Sequence, residues 1–119
     1  MTTQQIADKL VQYCRTGEWA KAQQELYAEN CSSIEPEASP GFEKVTKGLP
    51  AIVEKGKKFD SMVETMHSIK MSDPIVAGNS FACVLDMDAT MKGMGRTPMK
   101  ELCVYQIKDG KVVEEQFYM

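Results

Sequence analysis

Apolar and polar positions alternate with two different periods along this chain, and the change of period falls near its middle. Ile6, Leu10 and Tyr13, with Val11 and Cys14 beside them, recur at helical spacing after Thr3, a fitting N-cap, and before Gly17, where a left-handed glycine ends a helix. A second helical stripe, Trp19, Ala22, Gln23, Leu26 and Tyr27, starts near Glu18 and is expected to stop near Asn30. The short β-leaning segment CSSIEP is closed by Pro36, and Glu35 to Thr46, with two prolines and a glycine, reads as a loop. Leu49, Ile52, Val53, Gly56 and Phe59 mark a third helix over Leu49 to Asp60, with Pro50 in its first turn. Gly56, inside that helix, is read as allowing close approach to a sheet. From Met62 onward the period is two. Val63, Thr65, His67, Ile69 and Met71 alternate with polar residues, and Ser72-Asp73-Pro74 interrupts before Ile75 to Ala77. Gly78-Asn79 turns the chain into a strand with Phe81, Cys83, Leu85, Met87, Ala89 and Met91 on one face and Ala82, Val84, Asp86, Asp88 and Thr90 on the other. A turn from Lys92 to Pro98 and another at Asp109-Gly110 separate Met99 to Ile107 from Val112 to Met119.

The order ααβαββββ predicts one α+β domain over residues 1–119, with three N-terminal helices on the concave face of a curved antiparallel sheet. Curvature splays the sheet from the helices and leaves a cone that can hold a small molecule. Apolar residues on both faces of the late strands predict a homodimer through the convex face.

Composition narrows the function classes. With 14 basic and 17 acidic residues and a net charge of −3, the chain is not a nucleic-acid binder or a ligand for anionic membranes. The apolar run Ser80 to Leu85 is far short of a membrane span, and the N-terminal residues lack a signal-peptide pattern, so a cytoplasmic location is expected. The four cysteines are scattered with no CxxC spacing and read as reduced apolar filler. A single histidine, His67, has no other ligand at helical or turn spacing, so no metal site is expected. No phosphate-binding motif is present either, and no cofactor is implied; Gly93-Met94-Gly95 reads as a turn. Lys55, Lys57 and Lys58 read as a solvated helix face.

The run YAENCSSIEP (Tyr27 to Pro36), the GLPAIVEKGKKF helix and the closing DGKVVEEQFYM resemble the nuclear transport factor 2-like superfamily, and within it the SnoaL-like domains. The resemblance covers essentially the whole chain and implies the cystatin-like cone. It leaves activity open, because the superfamily holds isomerases, cyclases and dehydratases alongside non-catalytic modules. Its ketosteroid isomerases carry a general base just before the strand-closing proline, which is Glu35 here. Their oxyanion-hole tyrosine and aspartate fall on Leu10 and Cys103, neither of which donates a strong hydrogen bond, so the resemblance does not extend to steroid isomerisation.

The remaining candidates come from face assignments. Tyr13 is one turn from Leu10, while Met99, Glu101 and Tyr105 share the face of Cys103, and His67 belongs to the apolar set of its strand. Glu35, His67 and Glu101 are therefore the candidate general acid–base groups, and Tyr13, Leu10, Cys103, Tyr105, Met99 and Phe59 the candidate lining for a small apolar ligand. The two expected functions are cofactor-independent proton transfer on an apolar carbonyl compound, and a non-catalytic binding or dimerisation module.

Overall fold

A computed structural model describes all residues, Met1 to Met119. Helix α1 (Thr3–Arg15) begins one residue earlier than the apolar pattern suggests, because Thr2 and Gln5 form a capping box that satisfies two free backbone donors. It buries Ile6, Ala7, Leu10, Val11 and Cys14, and Gly17 at φ +73° turns the chain away. Helix α2 (Trp19–Leu26) is shorter than expected. Tyr27 adopts extended geometry, and its hydroxyl reaches the carboxylate of Glu115 across the sheet, so the strand starts there rather than after Asn30.

Strand β1 (Tyr27–Ile34) is followed by β2 (Val45–Lys47), which adds an edge strand where a loop was expected. Helix α3 (Leu49–Met62) then leads into β3 (Val63–Met71), β4 (Ile75–Ala77), β5 (Ser80–Met91), β6 (Gly95–Lys108) and β7 (Lys111–Tyr118). The three helices and the sheet form the α+β arrangement anticipated from the period change. The strand order is β2-β1-β7-β6-β5-β3, with β4 also on β5. Every pair is antiparallel except β1 with β7, which run parallel, so the sheet is mixed. That one parallel pair sets Ser33 directly opposite Glu115.

The helices cover one face of the sheet. Leu10, Val11, Cys14, Leu26 and Ile52 pack there against Phe81, Cys83, Leu85, Met87, Cys103, Tyr105 and Val112. Phe81 and Tyr105 stack with ring centroids 4.7 Å apart. Arg15 binds the Met71 carbonyl through two N–H groups at 2.9 and 3.0 Å, which ties the end of α1 to the end of β3.

Candidate functional site

The inner face of the sheet carries carboxyl groups among this apolar packing, and three of them gather around one ammonium. Glu101 on β6 lies opposite Leu85, and Glu115 on β7 lies opposite Tyr105. Glu35 follows β1, where its N–H donates to the Lys44 carbonyl at 2.7 Å. Lys55, from α3, donates to Ser33 Oγ at 2.6 Å and to Glu35 Oε1 at 3.0 Å. Its side chain is only 15% exposed, and the ammonium stands 5.8 Å from the centre of the Phe117 ring.

Glu115 is 4% exposed. Its carboxyl accepts hydrogen bonds from the Tyr27 hydroxyl and, at 2.6 Å, from Ser33 Oγ. Burial pushes its pKa up, while both hydroxyls and Lys55 oppose that rise. Glu101 has no such hydroxyl partners. Burial first, then the charges of Glu35 and Glu115, raise its pKa to about 7, against the pull of Lys55. Glu101 therefore changes protonation near neutral pH, beside carboxylates held by hydroxyls and a cation.

His67 does not join this group. Met66 pairs with Ala89 and Ser68 with Asp88, so one residue of β5 is matched by two of β3 and His67 is the extra one at a bulge. An earlier bulge at Glu64, between the Val63–Met91 and Thr65–Thr90 pairs, exchanges the faces, so Met66 turns inward and His67 lies exposed on the outer face with Nε2 2.7 Å from Thr90 Oγ1. The bulge at His67 exchanges them again and returns Ile69 inward. His67 and Glu101, both candidate acid–base groups, are therefore not brought together. Tyr13 is also displaced from the cone, since its hydroxyl donates outward to Glu25 Oε2 at 2.5 Å, between α1 and α2. Leu10, Cys103 and Tyr105 are buried within the packed core, with Cys103 directly opposite Cys83. Met99 and Phe59 are partly buried against that core, and Phe59 meets Trp19 edge to face at 6.4 Å.

Lys55, Ser33, Tyr27 and Glu115 were not among the residues picked out from the sequence. Lys55 had been read as solvated, yet it is tucked under α3. Glu115 was detectable in principle, being two residues before Phe117, which faces the core. A surface cleft of about 620 Å³ runs between α3 and the arm at residues 41–46, with Lys55 in its wall. The arm is fastened to α3 by Lys58, which donates to the Gly41 carbonyl and sits over the Phe42 ring at 5.0 Å.

A family model described as a SnoaL-like domain matches residues 1–119. Among solved structures, a candidate SnoaL-like polyketide cyclase from Mesorhizobium loti is 31% identical, with a TM-score of 0.92 over 100% of both chains. A protein of unknown function with a cystatin-like fold from Xanthomonas campestris is 18% identical, with a TM-score of 0.83 over 99% of this chain and 90% of that one. A protein with a ketosteroid isomerase-like fold from Catenulispora acidiphila, solved with trimethylamine, is 13% identical, with a TM-score of 0.74 over 99% and 87% of the two chains. The last two likenesses concern the fold alone. No curated protein matches the sequence significantly.

Proposed function

Since the chain belongs to the SnoaL-like domain family along its whole length, we propose that it is a small-molecule pocket protein performing cofactor-independent proton transfer on an apolar, carbonyl-containing compound. Glu101 carries this reading: it is an inward carboxyl without a hydrogen-bonding hydroxyl, pushed up to about 7 next to a carboxylate paired with Lys55. An acid that is protonated near neutral pH beside an ion-paired carboxylate can divide the work of acid and base with it. Glu35 accepts the proton from the carbon next to the carbonyl. Protonated Glu101 donates a hydrogen bond to the oxygen on which enolate charge develops. Lys55 positions Glu35 and limits the repulsion among the three carboxyls. His67 has no part in this scheme.

The reaction leaves a trace even when the product is unknown. In D₂O, cyclic ketones and 1,3-diketones should gain deuterium at the carbon next to the carbonyl faster with the protein than without it. Glu35→Gln should slow that exchange by roughly 100-fold or more. A panel in which wild type and Glu35→Gln give the same exchange would end the enzymatic reading. The alternative, a non-catalytic ligand-binding or dimerisation module, would then stand, and the burial of Leu10, Cys103 and Tyr105 in the core favours it.

A homodimer through the convex face belongs to the same proposal. Val84, Leu102 and Tyr118 lie side by side across β5, β6 and β7 on that face and are 37%, 42% and 47% exposed. Such a row on adjacent strands suits a second copy of the same sheet. Sedimentation equilibrium should give twice the chain mass of 13.3 kDa at micromolar concentration, and Leu102→Lys should shift it to the monomer. A wild-type protein that sediments as a monomer would remove the dimer.

A further inference from the structure

Glu115 has no task in the reaction proposed above, yet it is the chain's one buried acid. The parallel pairing of β1 with β7 sets Ser33 opposite it, and Ser33 and Tyr27 are buried on the same side of β1. Their hydroxyls meet its two oxygens, Tyr27 at Oε1 and Ser33 at Oε2. Ser33 Oγ also takes an N–H from Lys55 at 2.6 Å.

Three donors meet three acceptors in this chain of contacts. An ammonium can only donate, and a hydroxyl has a single proton to give. Lys55 must therefore donate to Ser33, the Ser33 proton goes to Glu115, and the Tyr27 proton goes to the other carboxyl oxygen. All three donors find acceptors only while Glu115 is a carboxylate. A protonated Glu115 would donate to one hydroxyl and leave that hydroxyl's own proton unpaired in the core, which is costly. Ionised Glu115 thus turns the lone pairs of Ser33 toward Lys55. A lysine side chain rotates about several bonds, so Glu35, the other partner of the ammonium at 3.0 Å, holds it less firmly alone. We infer that Glu115 is a positioning residue for Lys55, acting through the Ser33 hydroxyl. This inference rests on the small-molecule reading above and adds to it how the cation beside the base Glu35 is kept in place.

The ¹H–¹⁵N signals of the lysine ammonium groups follow Lys55 directly, with Lys55→Met to assign its resonance. Ser33→Ala and Glu115→Gln should each speed hydrogen exchange of that ammonium at least about fivefold, the effect of losing one hydrogen bond. The double variant should be no faster than the single ones, because the two residues act in series. Tyr27→Phe, which removes the bond to the other carboxyl oxygen, should leave the Lys55 ammonium unchanged. Carboxyl ¹³C titration adds a second reading. Glu101, at about 7 in wild type, should titrate at lower pH in Glu115→Gln, where a neighbouring negative charge is gone, and should not fall in Ser33→Ala. A Lys55 ammonium indifferent to both variants overturns the inference, and so does a Tyr27→Phe effect as large as that of Ser33→Ala, which would mean a general loosening of the core. An unmoved Glu101 titration in Glu115→Gln would mean that Glu115 is uncharged and overturns it too. Ser33→Ala deletes a single oxygen and carries the ammonium test alone if Glu115→Gln does not fold. This inference and the enzymatic reading fail separately. A Lys55 ammonium that responds to both variants in a protein without deuterium exchange at carbon removes the enzyme and keeps the positioning, whereas exchange at carbon with an indifferent ammonium does the reverse.

Discussion

The two faces of the sheet treat their acids in opposite ways. Outside, Asp88 accepts two hydrogen bonds from Arg96, at 3.0 and 2.7 Å, and Asp86 stands 3.8 Å from Lys100. These acids have their own cations and ample water, and hydrogen bonding to Arg96 holds the Asp88 carboxyl below its ordinary range. Inside, three glutamates share Lys55, and burial moves Glu101 and Glu115 up. Lys100 and Glu101 are adjacent in sequence, so a rotation of one pleat separates an ordinary surface ion pair from a group poised to exchange protons near neutral pH. The lesson is that residue type and sequence neighbourhood say little about protonation here. The face decides it.

Lys55→Met should test this contrast most severely. Removing the cation strips Glu35 of its partner and leaves Glu101 and Glu115 without the charge that opposes their repulsion. Breaking a largely buried ion pair costs on the order of 3 kcal/mol or more. The loss should grow with pH, as more of the inner carboxyls are forced to ionise, and urea unfolding at pH 6 and pH 8 measures it. Equal stability of variant and wild type at both pH values would mean that the inner acids do not depend on Lys55.

Glu101→Gln should act in the opposite direction. The folded pKa of about 7 lies above the reference value of 4.5, so the folded state favours the protonated acid. Its contribution is fully present below about 4.5 and is lost as pH rises through about 7. The rise from 4.5 to about 7 corresponds to a penalty of about 3 kcal/mol at pH 8. Glutamine, which stays neutral, should recover most of that penalty and flatten the stability profile between pH 4.5 and 8. It should also remove the step near pH 7 from any exchange rate. A Glu101→Gln protein less stable than wild type at pH 8 would place the carboxylate in a favourable interaction that this geometry lacks.

Much of this arrangement is legible in the sequence, and what is not has an identifiable cause. Strands β5 and β6 pair without irregularity from Ser80–Gln106 to Met91–Gly95. Simple alternation therefore puts Cys83, Leu85 and Met87 inside and brings Glu101 with them, as observed. Strand β3 contains two bulges and β7 one. In β3 the first, at Glu64, turns His67 outward, although alternation from Val63 placed it among the apolar residues. In β7, Gln106 pairs with Glu114 and Ile107 with Val112, so Val113 is the extra residue and the parity of the strand changes partway along. Bulges depend on how two strands close on each other, which local residue pattern does not encode. Glu35 was accessible through the family resemblance, which places a general base just before the proline that closes the strand. Lys55 was not, since a lysine beside two other lysines on an amphipathic helix gives no sign that one of them is turned under the helix.

The outer face supplies the smallest expected effect and therefore the control. His67 bonds Thr90 in the open, and Arg96 is 64% exposed in its pair with Asp88. Exposed pairs gain little because water already solvates both charges and salt screens what remains. His67→Ala and Asp88→Asn should each leave the melting temperature at pH 7 within error of wild type, and should leave deuterium exchange unchanged. Because the folded pKa of Asp88 is lowered, its contribution is present above the unfolded value and fades only as pH falls through the folded one. Any difference for Asp88→Asn should thus appear above the acid limb and vanish as pH falls through it, and should shrink further in 1 M salt. A clear loss of exchange in His67→Ala would reverse the assignment of the two faces, because it would put the working acid–base group on the side of the sheet that faces away from Glu35 and Glu101.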